Sequence, residues 1–400
     1  MKLIQDSASR LHTPTRNAPR DGRPDFAKAS RHEIKEENLS GRFAMSSMMR
    51  NARFLFACAA GSAALLLAPV AGAQEVETIN VMTSNDASCS PYPQIASDEF
   101  GFFAKAGVKV NLLSSSTSIP FLAFLSNGDA DIVMLDPGQV LQAATADQPI
   151  AVIYEAYQGA SDGIVVPAAG DVQSVADLKG KIVGMATDRD QLTTVMALST
   201  VGMTISEVET VVVGEEIPVV AQALNNKTIQ AYAAANSEFA ALAASGFDLR
   251  NITPVQVSQV PGNSWTVWKP TLDAKRDLIQ RFLRAWAMGQ HSGIMDTKAV
   301  MAACKKRIPE QWEKPGNGER VVNNSVMNTQ IRRTVKYGEL QRDVWEGIQQ
   351  PYVDFGEIPK KIDIDTFLDT SFIDAANSFT TDEVKAGVKA WKEANKDIAR

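Results

Sequence analysis

Three carboxylates in this 400-residue chain, Asp86, Asp136 and Asp188, stand where strands should end and helices begin, and Arg189 is the one base beside them. Around them gather Asn85, Asn236, Thr187 and the hydroxyl run Ser114-Ser115-Ser116-Thr117-Ser118. Tyr154, Tyr157 and Trp265 add flat aromatic surface. Such groups hold a small polar molecule by charge, hydrogen bonding and stacking. They lack the makings of a catalyst. Beyond residue 73 the only histidine is His291, on an amphipathic helical stretch that reads as structural. That argues against a His-rich metal site and against Ser-His-Asp or Cys-His catalysis. No cofactor and no metal are expected.

Each group also has a plainer use. Ser115, Ser116 and Thr117 either present donors to a ligand's negative group at a helix start or simply cap that helix. Asp136 precedes Pro137 and has the same two readings, as do Thr187 and Asp188 before the next helix. Asn85 and Asp86 follow the first strand as a polar loop. Tyr154, Tyr157 and Trp265 either stack on a planar ligand or fill the core of a hinge, and Glu155 reads as a strand-end surface charge. With three carboxylates against one base, a strongly anionic ligand is repelled unless amides and hydroxyls outnumber them. Two ligands stay open: a sulfonate or carboxylate held by Ser/Thr donors, or a neutral or amino-bearing heterocycle held by the carboxylates and stacked on an aromatic.

The elements that position these groups repeat. Ile119 to Asp136 reads as a helix starting near Pro120, a stop at Asn127-Gly128, and an apolar strand Asp131–Leu135 ending on Asp136-Pro137-Gly138. About a hundred residues on, Ile217–Leu224, Asn225-Asn226-Lys227 and Ile229–Ala235 repeat the unit and end on Asn236. Two copies imply two similar lobes, with Asp136 and Asn236 facing each other outside the carboxyl ends of the strands. Val76–Thr83 and Val108–Leu112 read as strands around a helix Gln94–Phe103, giving a β-α-β-α-β order and a parallel sheet covered by helices. Further strands are expected at 150–157, 163–166, 181–186, 210–213 and 263–268, with helices at Arg189–Val201 and Leu272–Met288.

The first 73 residues stand apart. Residues 1–44 are polar and aperiodic, either disordered or upstream of the true start among Met1, Met45, Met48 and Met49. Residues 45–73 have a basic start at Arg50 and Arg53, an apolar run from Phe54 to Val70, and Ala71-Gly72-Ala73, the pattern of a secretory signal peptide cleaved before Gln74. Lipid attachment at Cys58 is disfavoured because the apolar run continues well past it. Removing residues 1–73 takes away 11 Lys/Arg and 6 Asp/Glu, leaving 29 against 40 and a net charge of −11. An acidic exported protein is a poor partner for nucleic acid or anionic membranes. Cys89 and Cys304 remain, either paired or buried as small hydrophobes.

Three motifs carry a resemblance. Ala96–Val110 (ASDEFGFFAKAGVKV) resembles the "GYF…GL-V" signature of periplasmic solute-binding proteins of ABC importers, in the branch that handles nitrate, sulfonate, taurine and pyrimidine precursors. Ser126–Ile132 (SNGDADI) is similar to that family's "aGeaDi", and Val175–Gly184 (VADLKGKIVG) to its "s-aDLKGK-iG". The match covers roughly Val76 to Thr266, while Ile229-Gln230-Ala231 and the tract after Ala303 depart from the pattern. The resemblance implies an α/β, two-lobed periplasmic binding protein fold of type II. Each lobe would be a sheet flanked by helices, with a helical C-terminal tract on the first lobe. The segments would be 74–158 (first lobe), 159–262 (second lobe) and 263–400 (return and C-terminal helices). It implies a monomer that captures a small polar organic solute, sulfonate/taurine-like or carboxylate, by hinge closure and delivers it to a permease in the inner membrane. The other readings are a binder of an aminopyrimidine thiamine precursor, an enzyme of pyrimidine-precursor synthesis on the same scaffold, and a sensor subunit.

Overall fold

Ile132–Leu135 and Ile150–Glu155 are buried along their whole length, as apolar strands covered on both faces must be. They form the middle and one edge of the first of two five-stranded sheets. The computed structural model describes residues 76–83, 88–113, 121–329 and 334–398, all within one compact unit. The leader segment, Asn85, Asp86 and the run Ser114–Ser118 with Ser115, Ser116 and Thr117 lie outside the described residues.

The first part of the chain runs β1 (Glu77–Met82), α1 (Tyr92–Glu99), α2 (Phe102–Lys105), β2 (Val108–Leu113), α3 (Phe121–Asn127), β3 (Ile132–Leu135), α4 (Pro137–Thr145) and β4 (Ile150–Glu155). The helix read as Gln94–Phe103 is two helices. Gly101 sits between them at φ +75°, left-handed backbone that ends α1 and starts α2. There follow β5 (Asp162–Pro167), β6 (Ile182–Met185), α5 (Asp190–Ser199), β7 (Glu209–Val212), α6 (Ile217–Asn225), β8 (Ala231–Ala235), α7 (Asn236–Ala244), β9 (Leu249–Asn251) and α8 (Val255–Ser258). β10 (Ser264–Trp268) then leads into the 27-residue α9 (Lys269–Met295). The tract after it is helical: α10 (Thr297–Arg307), α11 (Asn317–Thr329), α12 (Arg342–Phe355), α13 (Ile373–Ala376) and α14 (Thr381–Ala394).

The strand orders are β2-β1-β3-β10-β4 and β7-β6-β8-β5-β9. Each sheet is mixed where a parallel one was expected. β1, β2 and β3 are parallel, but β10 runs against both β3 and β4. In the second sheet β6, β7 and β8 are parallel and β5 runs against β8 and β9. The reversed strand in each sheet is the one that has just arrived from the other sheet, so its direction is set by the crossing and not by a local βαβ unit. The two crossings lie side by side. Tyr157 N donates to Asn263 O (3.1 Å), Gly262 N to Tyr157 O (2.9 Å) and Ala160 N to Ser258 O (3.1 Å).

The first sheet's main core centres on Trp265, Phe282 and Trp286, with Trp265 edge-on to the other two rings at 5.3 and 4.9 Å. A second apolar cluster joins Met82, Val133 and Leu135 to Ile164, Met185 and Met196 through Trp345, Ile348 and Tyr352 of α12. The C-terminal helices therefore do more than cover the first sheet: α12 packs on α5 and α11 on α7. Glu155 is the peg for this arrangement. The sequence suggests a surface charge, yet it is fully buried. It accepts hydrogen bonds from Gln341 N (2.7 Å), Gln341 Nε2 (2.8 Å) and Trp345 Nε1 (3.0 Å).

Candidate functional site

A cavity of about 850 Å³ opens between the two sheets. Its polar lining comes from the turns that follow parallel strands, the place where open α/β sheets take ligands. Asp136 follows β3, Thr187–Asp190 follow β6, Glu215 follows β7, and Glu238 lies in the first turn after β8. Asp162 enters from the start of β5, and Phe121, Tyr352, Phe355 and Glu357 supply the remaining wall.

Asp136 is the N-cap of α4. Its Oδ1 accepts from Gln139 N at 2.8 Å while Gln139 Oε1 accepts from Asp136 N at 3.1 Å, a reciprocal capping box. Its other oxygen faces Arg189 across the cavity, 3.6 Å from the guanidinium. Around the start of α5 the expected caps are inverted. Thr187 and Asp188 do not cap the helix. Instead Asp190 reaches back, accepting from Thr187 N (2.7 Å) and Thr187 Oγ1 (3.1 Å). Asp188 and Arg189 are exposed at the cavity's edge.

Among the described residues lining the cavity are seven carboxylates (Asp136, Asp162, Asp188, Asp190, Glu215, Glu238 and Glu357) and one base, Arg189. Three of the acids hold their protons more tightly than usual. Burial raises Asp162, with Asp190 adding to it against the Ser161 hydroxyl and Arg189. Burial likewise raises Asp190 in spite of its bonds from Thr187. Glu238 rises by burial, with Glu215 and Asp190 nearby and the Ser237 hydroxyl opposing. Tyr352 is raised by burial first and then by Asp136, Glu357 and Asp162. These groups act on one another because, among the described residues, only the Arg189 guanidinium stands among them to offset them.

The structure brings Asp136, Thr187 and Asp188 to one cavity and removes three aromatic candidates from it. Trp265 and Tyr154 are cross-strand partners on β10 and β4, and both are fully buried on the face that α9 covers. The Tyr154 hydroxyl donates to Gln290 Oε1, whose Nε2 donates to Ala156 O at 2.8 Å. Tyr157 packs against the same core and donates to Ser90 O at 3.1 Å. Asn236 is corrected too. α7 begins at this residue, its backbone N donates to Ser161 O at 2.7 Å, and Glu238, two positions on, lines the cavity instead. His291 lies away from the cavity, its ring nitrogens paired with Tyr337 Oη (2.9 Å) and Thr381 Oγ1 (3.2 Å).

The aromatic surface comes from Phe121, Tyr352 and Phe355. A methyl group on Gly138 would stand 3.1 Å from the Tyr352 ring, so the start of α4 and α12 meet with no space to spare. Gln142 Nε2 on α4 also donates to Glu357 Oε2 at 2.7 Å. Nothing in the local pattern of residues 340–357 announces this role. Asp162, Glu215 and Glu238 carried a usable signal: each is an acid within a few residues of a strand end.

Among the described residues no group of His, Cys, Asp and Glu is arranged to hold a metal ion, and no helix is long and apolar enough to cross a membrane. No curated protein matches the chain by sequence. Solved structures do match in fold. The periplasmic aliphatic sulphonate binding protein SsuA from Escherichia coli is 15% identical, with TM-score 0.57, over 72% of this chain and 91% of that one. The alkanesulfonate-binding protein SsuA from Xanthomonas axonopodis pv. citri, solved with MOPS, is 14% identical, with TM-score 0.53, over 74% and 99%. The desulfurization enzyme DSZB is 15% identical, with TM-score 0.51, over 74% and 98%. The fold is thus the two-lobed periplasmic binding protein fold, one that carries both binding proteins and an enzyme. Residues 91–296 match the family described as NMT1/THI5 like, and the chain belongs to that family.

Proposed function

We propose that this protein is the substrate-binding component of an ABC importer, exported to the periplasm by cleavage after Ala73, and that its ligand is a small amino-bearing organic cation. The observation that carries the ligand class is the excess, among the described residues lining the cavity, of seven carboxylates over one guanidinium, with that guanidinium already facing Asp136. A unit charge about 4 Å from a carboxylate at a protein surface interacts by roughly 4 kcal/mol. The sign favours an ammonium or protonated heterocycle and opposes a sulfonate. Phe121, Tyr352 and Phe355 offer faces for a ring. Ligand contacts from both lobes would hold the closed form that a permease recognises, and the working state is a monomer.

A sulfonate ligand is the second reading. It is favoured by the sulfonates named for two of the similar structures. The enzyme reading gains only from DSZB, and the described cavity lining contains neither Cys nor His to serve as nucleophile or base. A thermal-shift and calorimetry panel of aminopyrimidines, diamines and the sulfonate MOPS decides among ligands. An amine should raise the melting midpoint at neutral pH, with the gain shrinking as pH falls into the carboxylate range, and should reduce the radius of gyration in small-angle scattering. Stabilisation by MOPS but by no amine overturns the cation reading.

A further inference from the structure

Cys89 and Cys304 are 215 positions apart in the chain, yet both are fully buried in the same apolar cluster. Cys89 lies three residues before α1, and α1 packs on α10, which carries Cys304. The approach is held by the Gln311 side chain. Cys89 N donates to Gln311 Oε1 at 2.9 Å, and Gln311 Nε2 donates to Ser88 Oγ at 3.4 Å, so the segment before α1 is clamped to the chain just beyond α10. We propose that Cys89 and Cys304 form a disulfide as the chain folds in an oxidising compartment.

As thiols the pair has no other evident use. Burial and direct interaction with Cys89 raise the Cys304 thiol well above its ordinary value, so it supplies no thiolate for nucleophilic attack. No metal-binding group includes either cysteine among the described residues. As a disulfide the pair ties α1 to α10 covalently. The two thiols lose two protons and two electrons as the Sγ–Sγ bond forms. The electrons reduce the disulfide of a donor, a thiol–disulfide oxidase in the cell or glutathione disulfide in the tube, to two thiols. Exchange must take place in the folding chain, since in the folded chain no attacking thiolate reaches either sulfur. The compartment comes from the export reading, whereas the juxtaposition does not, and the test below is independent of export.

The full chain carrying Cys58→Ser, which leaves these two cysteines alone, is refolded from denaturant with glutathione disulfide. It is then denatured again, treated with iodoacetamide and weighed intact. The expected result is no alkylation, two alkylations after prior reduction, and one cross-linked peptide containing both residues. A Cys89→Ser version should refold with Cys304 alkylated or carrying glutathione. Two alkylated cysteines in the parent, or glutathione attached separately to either, overturns the proposal.

Discussion

The two oxygens of Asp136 have separate partners, and two substitutions pull them apart. Oδ1 caps α4 through Gln139 N at 2.8 Å, while Oδ2 faces Arg189 at 3.6 Å. Asp136→Asn keeps an oxygen for the cap, because asparagine caps about as well as aspartate, and loses only the ion pair. The Arg189 side chain is 87% exposed, so that pair contributes about 0.2–1 kcal/mol and is screened by salt. Asp136→Ala loses the cap as well, a further 0.5–2 kcal/mol or so. Urea unfolding at low and high salt reads both terms. The Asn variant should lie within about 1 kcal/mol of the parent at low salt and coincide with it at high salt. The Ala variant should stay below the parent in both, by about 0.5–2 kcal/mol at high salt, where only the cap is lost. Affinity should sort differently: both changes remove the charge, so both should weaken an amine by roughly tenfold or more. An Asn variant that unfolds as easily as the Ala variant at high salt refutes the division of labour between the two oxygens.

Two further outcomes follow from the same geometry. Glu155→Ala leaves Gln341 N and Trp345 Nε1 buried without their acceptor, at about 1–3 kcal/mol for each orphaned group. Hydrogen exchange should then rise in 342–355 before it rises in 132–135, and a uniform rise would show that Glu155 does not pin α12. Asp162→Asn probes the raised carboxyl. Because the folded state holds that proton more tightly than the unfolded chain, the parent loses stability as pH climbs through and above the ordinary carboxylate range. The variant's melting advantage should therefore be absent in acid and appear toward neutral pH, and an advantage confined to acid would reverse the sign.

The legible parts of the site were those written within one short stretch. Asp-Pro-Gly after a fully apolar run marks both a strand end and a helix cap, and Asp136 is there. Asn236 shows the limit of such reading: the strand end was placed, but with α7 beginning immediately it is Glu238 that lines the cavity. Trp265 and Tyr154 show a different limit. A strand's side chains alternate between faces, but which face meets the cavity depends on where α9 packs, and residues 264–268 do not state that. Tyr352 and Phe355 come from a tract whose period announces helices and whose position depends on a glutamate nearly two hundred residues earlier.

Because the two crossings are hydrogen-bonded side by side, the closure proposed above would turn the sheets about a single line. α12 on α5 and α11 on α7 are attachments away from that line. A body held along a line swings freely; one held also at points off the line must slip there before it swings. In the closure proposed above, opening the cavity would therefore require α12 to slide across α5, a contact that a hinge of two bare crossings would not have.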